Sequence, residues 1–130
     1  MTTRWILRLD LGLGLAALLF GVTASVTKAV ADIVAGKALF EQCAACHGAT
    51  GEGSEQGPSL HGVVGRKAGQ MQNFRYSRAM QRSGIVWSEE TLARYLSDPQ
   101  DVVPGNRMPF GGLATPEESK DVVNYLESLK

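Results

Sequence analysis

Hydrophobic residues recur with a helical period in some stretches of this chain and lose all period in others. From Ile33 to about Cys46, the small or apolar Gly36, Leu39, Phe40 and Cys43 fall at i, i+3, i+4 and i+7, which predicts a helix. Tyr76 to Arg82 predicts a shorter one closed by Gly84. Ser88-Glu89-Glu90 opens another: serine suits the N-cap, the acids suit the positive helix end, and Leu92, Tyr95 and Leu96 make an apolar face. Asp98-Pro99 stops it. A last helix starts at Thr115 as N-cap, with Pro116 in the first helical position and Glu118 completing a capping box. Val122, Tyr125, Leu126 and Leu129 then repeat the helical stripe. Gly48 to Gly69 and Asp101 to Ala114 are rich in glycine and proline without period, and read as irregular loops. The fold class expected is all-α.

Residues 1–31 follow a different pattern. Arg4 and Arg8 form a basic segment, Leu11 to Val22 is an apolar run, and Ala29-Val30-Ala31 ends the stretch before Asp32. This is the order of a secretory signal peptide, whose apolar region runs to about 7–15 residues. The other reading is a retained membrane anchor, but the run falls short of the roughly 20 residues that span a bilayer. The expected domains are therefore a signal peptide, 1–31, cleaved after Ala31, and one domain, 32–130. Export to the periplasm follows, with tethering to the inner membrane if the segment stays.

The whole chain of 130 residues has a formal charge of zero. Without Arg4, Arg8, Lys28 and Asp10, ten basic and twelve acidic side chains remain. No basic stripe is present, so nucleic acid is not an expected partner. A domain of this size has little apolar core of its own, and a large buried prosthetic group would add to it.

Candidate chemistry concentrates in Cys43-Ala44-Ala45-Cys46-His47, which holds the chain's two cysteines. Thiols three apart followed directly by an imidazole form the C-x-x-C-H pattern of covalent haem attachment. On one helical turn each thiol can add to one of two neighbouring vinyl groups, and His47 is carried under the ring as a ligand to iron. A redox-active dithiol or half of a zinc site are the alternatives. The first wants a strand and a βαβ pattern, which are not visible; the second wants more ligands, and His61 is the one remaining imidazole.

Three methionines follow residue 31: Met71, Met80 and Met108. Met108 lies in Pro104-Gly105-Asn106-Arg107-Met108-Pro109-Phe110, where flanking prolines stiffen the chain and Gly105 permits a bend. A thioether is a soft neutral donor, and His/Met ligation raises the potential of haem iron. Met71 and Met80 read as flexible core filler. His61 reads as a hydrogen-bonding loop residue.

With these motifs in order, the chain resembles the small class I c-type cytochromes, in particular the mitochondrial cytochrome c type and its bacterial periplasmic relatives. Further matches are Gly57-Pro58-Ser59-Leu60-His61-Gly62, Gly65-Arg66-Lys67, Phe74-Arg75-Tyr76-Ser77, Gly84-Ile85-Val86-Trp87 and Tyr95-Leu96. The resemblance implies one covalent haem c in a cleft closed by irregular loops, with the first and last helices crossing through Gly36 and Phe40 against Leu126 and Tyr125. It implies His47 and Met108 as axial ligands and Pro58 as carbonyl partner of His47. Tyr76 and Trp87 would bond a buried propionate with Arg66 near it, and Tyr95 would lie close to the Met108 sulfur. Asn106 stands where the family's ligand loop has threonine and retains a hydrogen-bond donor. Met80 replaces an asparagine of the family's network, and Gln100 and Asp101 replace lysines.

The function so implied is one-electron transport by a monomer that is not an enzyme. Its partners would be electron-donor and electron-acceptor redox proteins: a quinol-oxidising cytochrome complex, and a terminal oxidase or reaction centre. The membrane would be met only through those partners. A tethered or oxidase-associated subunit, and a five-coordinate haem enzyme or gas sensor with Met108 displaced, are the rival readings.

Overall fold

The computed structural model describes residues 15–130, with side chains from Ser25 onward. Arg4, Arg8 and Leu11, on which the signal-peptide expectation rests, lie outside the described residues. The chain divides into two compact units, one ending at Val30 and one from Ala31 to Lys130. In the first, Val26 and Val30 are exposed. Among the described residues, no helix is long and apolar enough to cross a membrane.

Among the described residues, five helices occur in the order α1 (Leu15–His47), α2 (Arg78–Arg82), α3 (Glu89–Ser97), α4 (Pro99–Val102) and α5 (Pro116–Ser128). The described residues contain no strand, only an isolated antiparallel bridge between Lys67 and Val86. The all-α expectation holds, with the adjustments that follow.

α1 begins well before Ile33 and ends on His47, so the whole C-x-x-C-H motif belongs to its last turn and the residues just before it. The second helix is shorter than Tyr76–Arg82. Ser77 has extended backbone and its hydroxyl accepts the Met80 N–H, which fixes the helix start two residues beyond Tyr76. The stop at Asp98-Pro99 is also a start. Asp98 Oδ1 accepts the Asp101 N–H at 3.0 Å, and Pro99 opens α4. Asp101 and Val102 are therefore helical, not part of the irregular loop.

α3 and α5 carry capping boxes, Ser88 with Thr91 and Thr115 with Glu118. Their apolar faces pack together with α1 to make the core. Phe40, 1% exposed, tilts against Tyr125 with ring centroids 5.2 Å apart. Leu92, Tyr95, Leu96, Val122, Val123 and Leu126 are buried beside them. Between α3 and α5 the serines at 97 and 119 share a hydrogen bond of 2.9 Å, which satisfies the fully buried Ser119 hydroxyl.

The long loop after α1 is held by backbone bonds, not by side-chain packing alone. Gly65 N–H donates to Trp87 O at 2.7 Å, Trp87 N–H to Arg66 O at 2.9 Å, and Ala68 N–H to Ile85 O at 2.8 Å. This ladder brings Trp87 and Arg66 to one place.

Candidate haem site

The last turn of α1 sets the first part of the site. Cys43 and Cys46 are both half-buried and neither is in a disulfide. Burial, and then the neighbouring Cys46, push the Cys43 thiol up to about 11. Reactive dithiols need a depressed pKa, so this environment disfavours redox exchange and keeps Cys43 a neutral thiol. Among the described residues no group of three or more His, Cys, Asp or Glu is placed to hold a metal ion, which leaves a zinc reading without its further ligands.

His47 ends the helix with its ring fixed by the loop. Nδ1–H donates to the Pro58 carbonyl at 2.8 Å, so the proton is on Nδ1 and the lone pair is on Nε2. Burial lowers the imidazole's pKa, and the Pro58 bond offsets part of this. The ring is thus neutral and fit to ligate. The sequence motif did not reveal how close this fit is. A Cβ added to Gly57 would stand 2.7 Å from the Cys46 carbonyl oxygen and 3.0 Å from His47 Nδ1. Ser54 Oγ also donates to the Cys46 carbonyl, at 2.6 Å. Glycine beside a proline is the local signal for such an approach.

Arg66 is half-buried and donates to two loop carbonyls, Ser59 at 2.7 Å and His61 at 3.1 Å. Burial lowers its pKa while Tyr76 raises it. Burial raises the Tyr76 hydroxyl in turn, opposed by Arg66 and the Met71 backbone. Arg66 and Tyr76 are therefore electrostatic neighbours. Trp87, 7% exposed, packs against Tyr95 with centroids 5.0 Å apart. Burial pushes Tyr95 up to about 12.

Met108 is half-buried against the core, and its N–H donates to Asn106 Oδ1 at 2.9 Å. Asn106 is buried, and its amide donates to the carbonyls of Pro99 at 2.8 Å and Val103 at 3.0 Å. Its role here is to shape the loop around Met108. Met80 is buried in the core, and His61 Nε2 bonds the Thr50 carbonyl at 2.9 Å.

The donor set matches a covalently held haem. Two thiols outside any disulfide lie one turn apart, an imidazole has its second nitrogen oriented by Pro58, and the indole of Trp87 is buried beside Tyr95. A helical domain with a C-x-x-C-H end on its first helix and a proline-framed methionine loop is a class I c-type cytochrome.

The comparisons agree. The family model described as cytochrome c matches residues 33–130, and the chain belongs to that family. Cytochrome c2 iso-2 of Magnetospirillum molischianum is 47% identical over 100 residues, covering 77% of this chain and 100% of the relative. Cytochrome c2 of Agrobacterium tumefaciens (strain II Chrys) is 41% identical over 100 residues, covering 73% of this chain and 89% of its own. Cytochrome cH from Methylobacterium extorquens has a similar structure, with a TM-score of 0.69 and 38% identity over 73% of this chain and 96% of that one. Family membership carries one covalent haem c, with Cys43, Cys46 and His47 at the matching spacing, and the general role of an electron carrier between redox proteins.

Proposed function

We propose that the chain is a one-electron carrier in which His47 and Met108 would hold the iron of its haem. The observation that carries this reading is the 2.8 Å bond from His47 Nδ1–H to Pro58, which fixes the tautomer that leaves Nε2 free to ligate. When bound, the haem supplies a one-electron iron couple. Met108 adds a soft thioether that favours reduced iron and raises the potential. Asn106 holds the Met108 backbone in place. Trp87 and Tyr76 offer donors to a propionate, with the Arg66 charge beside Tyr76 to offset it. Tyr95, packed on Trp87, lies on the side of the Met108 sulfur in this reading. No nucleophile or acid–base pair is needed for such work.

The partners proposed are a quinol-oxidising cytochrome complex as donor and a terminal oxidase or reaction centre as acceptor. Brief contacts of small area suit such exchange. Gln100 and Asp101, and the arginines 66, 75, 78, 82, 94 and 107, give a mixed rim with weak electrostatic steering. The carrier acts as a monomer, in the periplasm, after loss of residues 1–31.

The ligand assignment is tested by the sulfur-to-iron absorption band of the ferric protein in the near infrared. Its presence in wild type and loss in Met108→Ala supports the pair; its absence from wild type refutes it. One observation favours a second reading, in which the N-terminal segment is retained as a tether. α1 runs without interruption through Ala29-Val30-Ala31. Mass spectrometry of the exported protein decides between the two: a chain beginning at Asp32 removes the tether.

A further inference from the structure

The loop that carries Met108 is tied to the chain before it by side chains. Asn106 works from inside, through the bonds to Pro99, Val103 and Met108 already described. Gln100 works from outside. Its Nε2 donates to the Asn106 carbonyl at 3.2 Å, and its Oε1 accepts the Gly105 N–H at 3.1 Å. One exposed amide thus grips both ends of the Gly105–Asn106 segment. Gly105 sits at φ +84°, a bend that L side chains rarely adopt. Gln100 itself is anchored in α4, next to the fully buried Pro99 and behind the Asp98 cap.

We propose that Gln100 is a positioning residue for Met108: it clamps the ligand loop against α4 and sets how often Met108 leaves the iron. The proposal rests on Met108 being the ligand. A neutral thioether holds iron weakly compared with a charged donor, so its retention depends on how firmly the loop presents it. The clamp also has a chemical requirement that few residues meet. It needs a donor and an acceptor on one side chain at the reach of glutamine. Lysine supplies donors alone and ionised glutamate acceptors alone, so each completes half of it. Two modest hydrogen bonds shift a local opening equilibrium by roughly tenfold.

The test uses the haem-loaded protein as wild type, Gln100→Ala, Gln100→Glu and Gln100→Lys, with two readouts. The first is site-resolved amide hydrogen exchange at Gly105 and Met108, which does not depend on what ligates iron. The second is the rate at which saturating imidazole enters the ferric protein, which is limited by loop opening. The expected result for Gln100→Ala is about tenfold faster exchange at both amides and a similar rise in the imidazole rate. Gln100→Glu restores protection at Gly105, whereas Gln100→Lys does not. Exchange at Val122 and Leu126 in α5, and the denaturant midpoint, stay at wild-type values. Unchanged exchange at Gly105 in Gln100→Ala overturns the clamp, as does an equal acceleration in α5. If the wild-type ferric protein lacks the sulfur-to-iron band, the ligand assignment falls, while exchange at Gly105 still judges the clamp separately.

Discussion

Gly36 on α1 lies so close to the backbone of Asp121 on α5 that no side chain fits between them: an added Cβ would strike the Asp121 carbonyl and stand 3.0 Å from Tyr125 Cβ. The first and last helices therefore meet backbone to backbone, and Phe40 one turn later packs on the Tyr125 ring. Gly36→Ala pits two effects against each other. Helix propensity favours alanine by about 1 kcal/mol. The clash is with backbone, which cannot rotate away, and overpacking costs typically 1–3 kcal/mol or more. The expected outcome is net destabilisation of about 2 kcal/mol in denaturant unfolding of the holoprotein. A stabilised variant would mean that the helices can slide apart at no cost.

Much of this arrangement was legible in the sequence because local chemistry and tertiary packing agree there. Thr115, Pro116 and Glu118 mark the start of α5 whatever it packs against, and Cys43, Cys46 and His47 narrow the chemistry to haem, dithiol or zinc by spacing, with the Met108 loop and the ordered family matches favouring haem. What was not legible depends on partners distant in the chain. Ser119 is polar yet fully buried, its hydroxyl met by the Ser97 hydroxyl on α3 and the Thr115 carbonyl. Thr91 completes the α3 capping box as a hydroxyl where a Glu or Gln is the usual signal. The rungs joining Gly65, Arg66 and Ala68 to Ile85 and Trp87 leave no alternation, since neither segment forms a strand. Gln100 stood out only as a missing lysine; its grip on Gly105 and Asn106 depends on the fold of the loop.

Substituting each methionine in turn separates the proposed ligand, Met108, from the core residue Met80. Met108→Ala is expected to abolish the sulfur-to-iron band and lower the midpoint potential, because a soft donor to reduced iron is lost. Met80 is buried within the core. Met80→Leu conserves volume, so it is expected to keep the band and cost less than about 1.5 kcal/mol. Loss of the band in Met80→Leu with retention in Met108→Ala would reverse the assignment.

Tyr95 makes the fold sensitive to alkali. Burial raises its folded pKa to about 12, against an ordinary value near 10. The folded state thus holds the phenol proton more tightly than the unfolded chain. This contribution is fully present below about pH 10 and is lost as pH rises towards 12. Over that window it amounts to about 2 kcal/mol. Stability measured by denaturant titration is expected to fall more steeply between those limits in wild type than in Tyr95→Phe. Parallel curves for the two would show that the phenol does not couple to folding.

Gly57 offers a way to disturb His47 without touching a ligand. Its added Cβ would press on the Cys46 carbonyl and on His47 Nδ1, the atom that donates to Pro58. In Gly57→Ala the ring and the neighbouring Pro58 carbonyl must separate, and the Nδ1–H bond lengthens. That bond makes the imidazole more basic, which stabilises the oxidised iron. Weakening it is expected to raise the midpoint potential, by about 30–60 mV for a one-electron couple. Gly111 is the matched control, since a Cβ there meets nothing within 4 Å. Gly111→Ala is expected to leave the potential unchanged. Equal potentials for Gly57→Ala and wild type in a spectroelectrochemical titration would show that the Pro58 contact tolerates the crowding and does not tune the iron through His47.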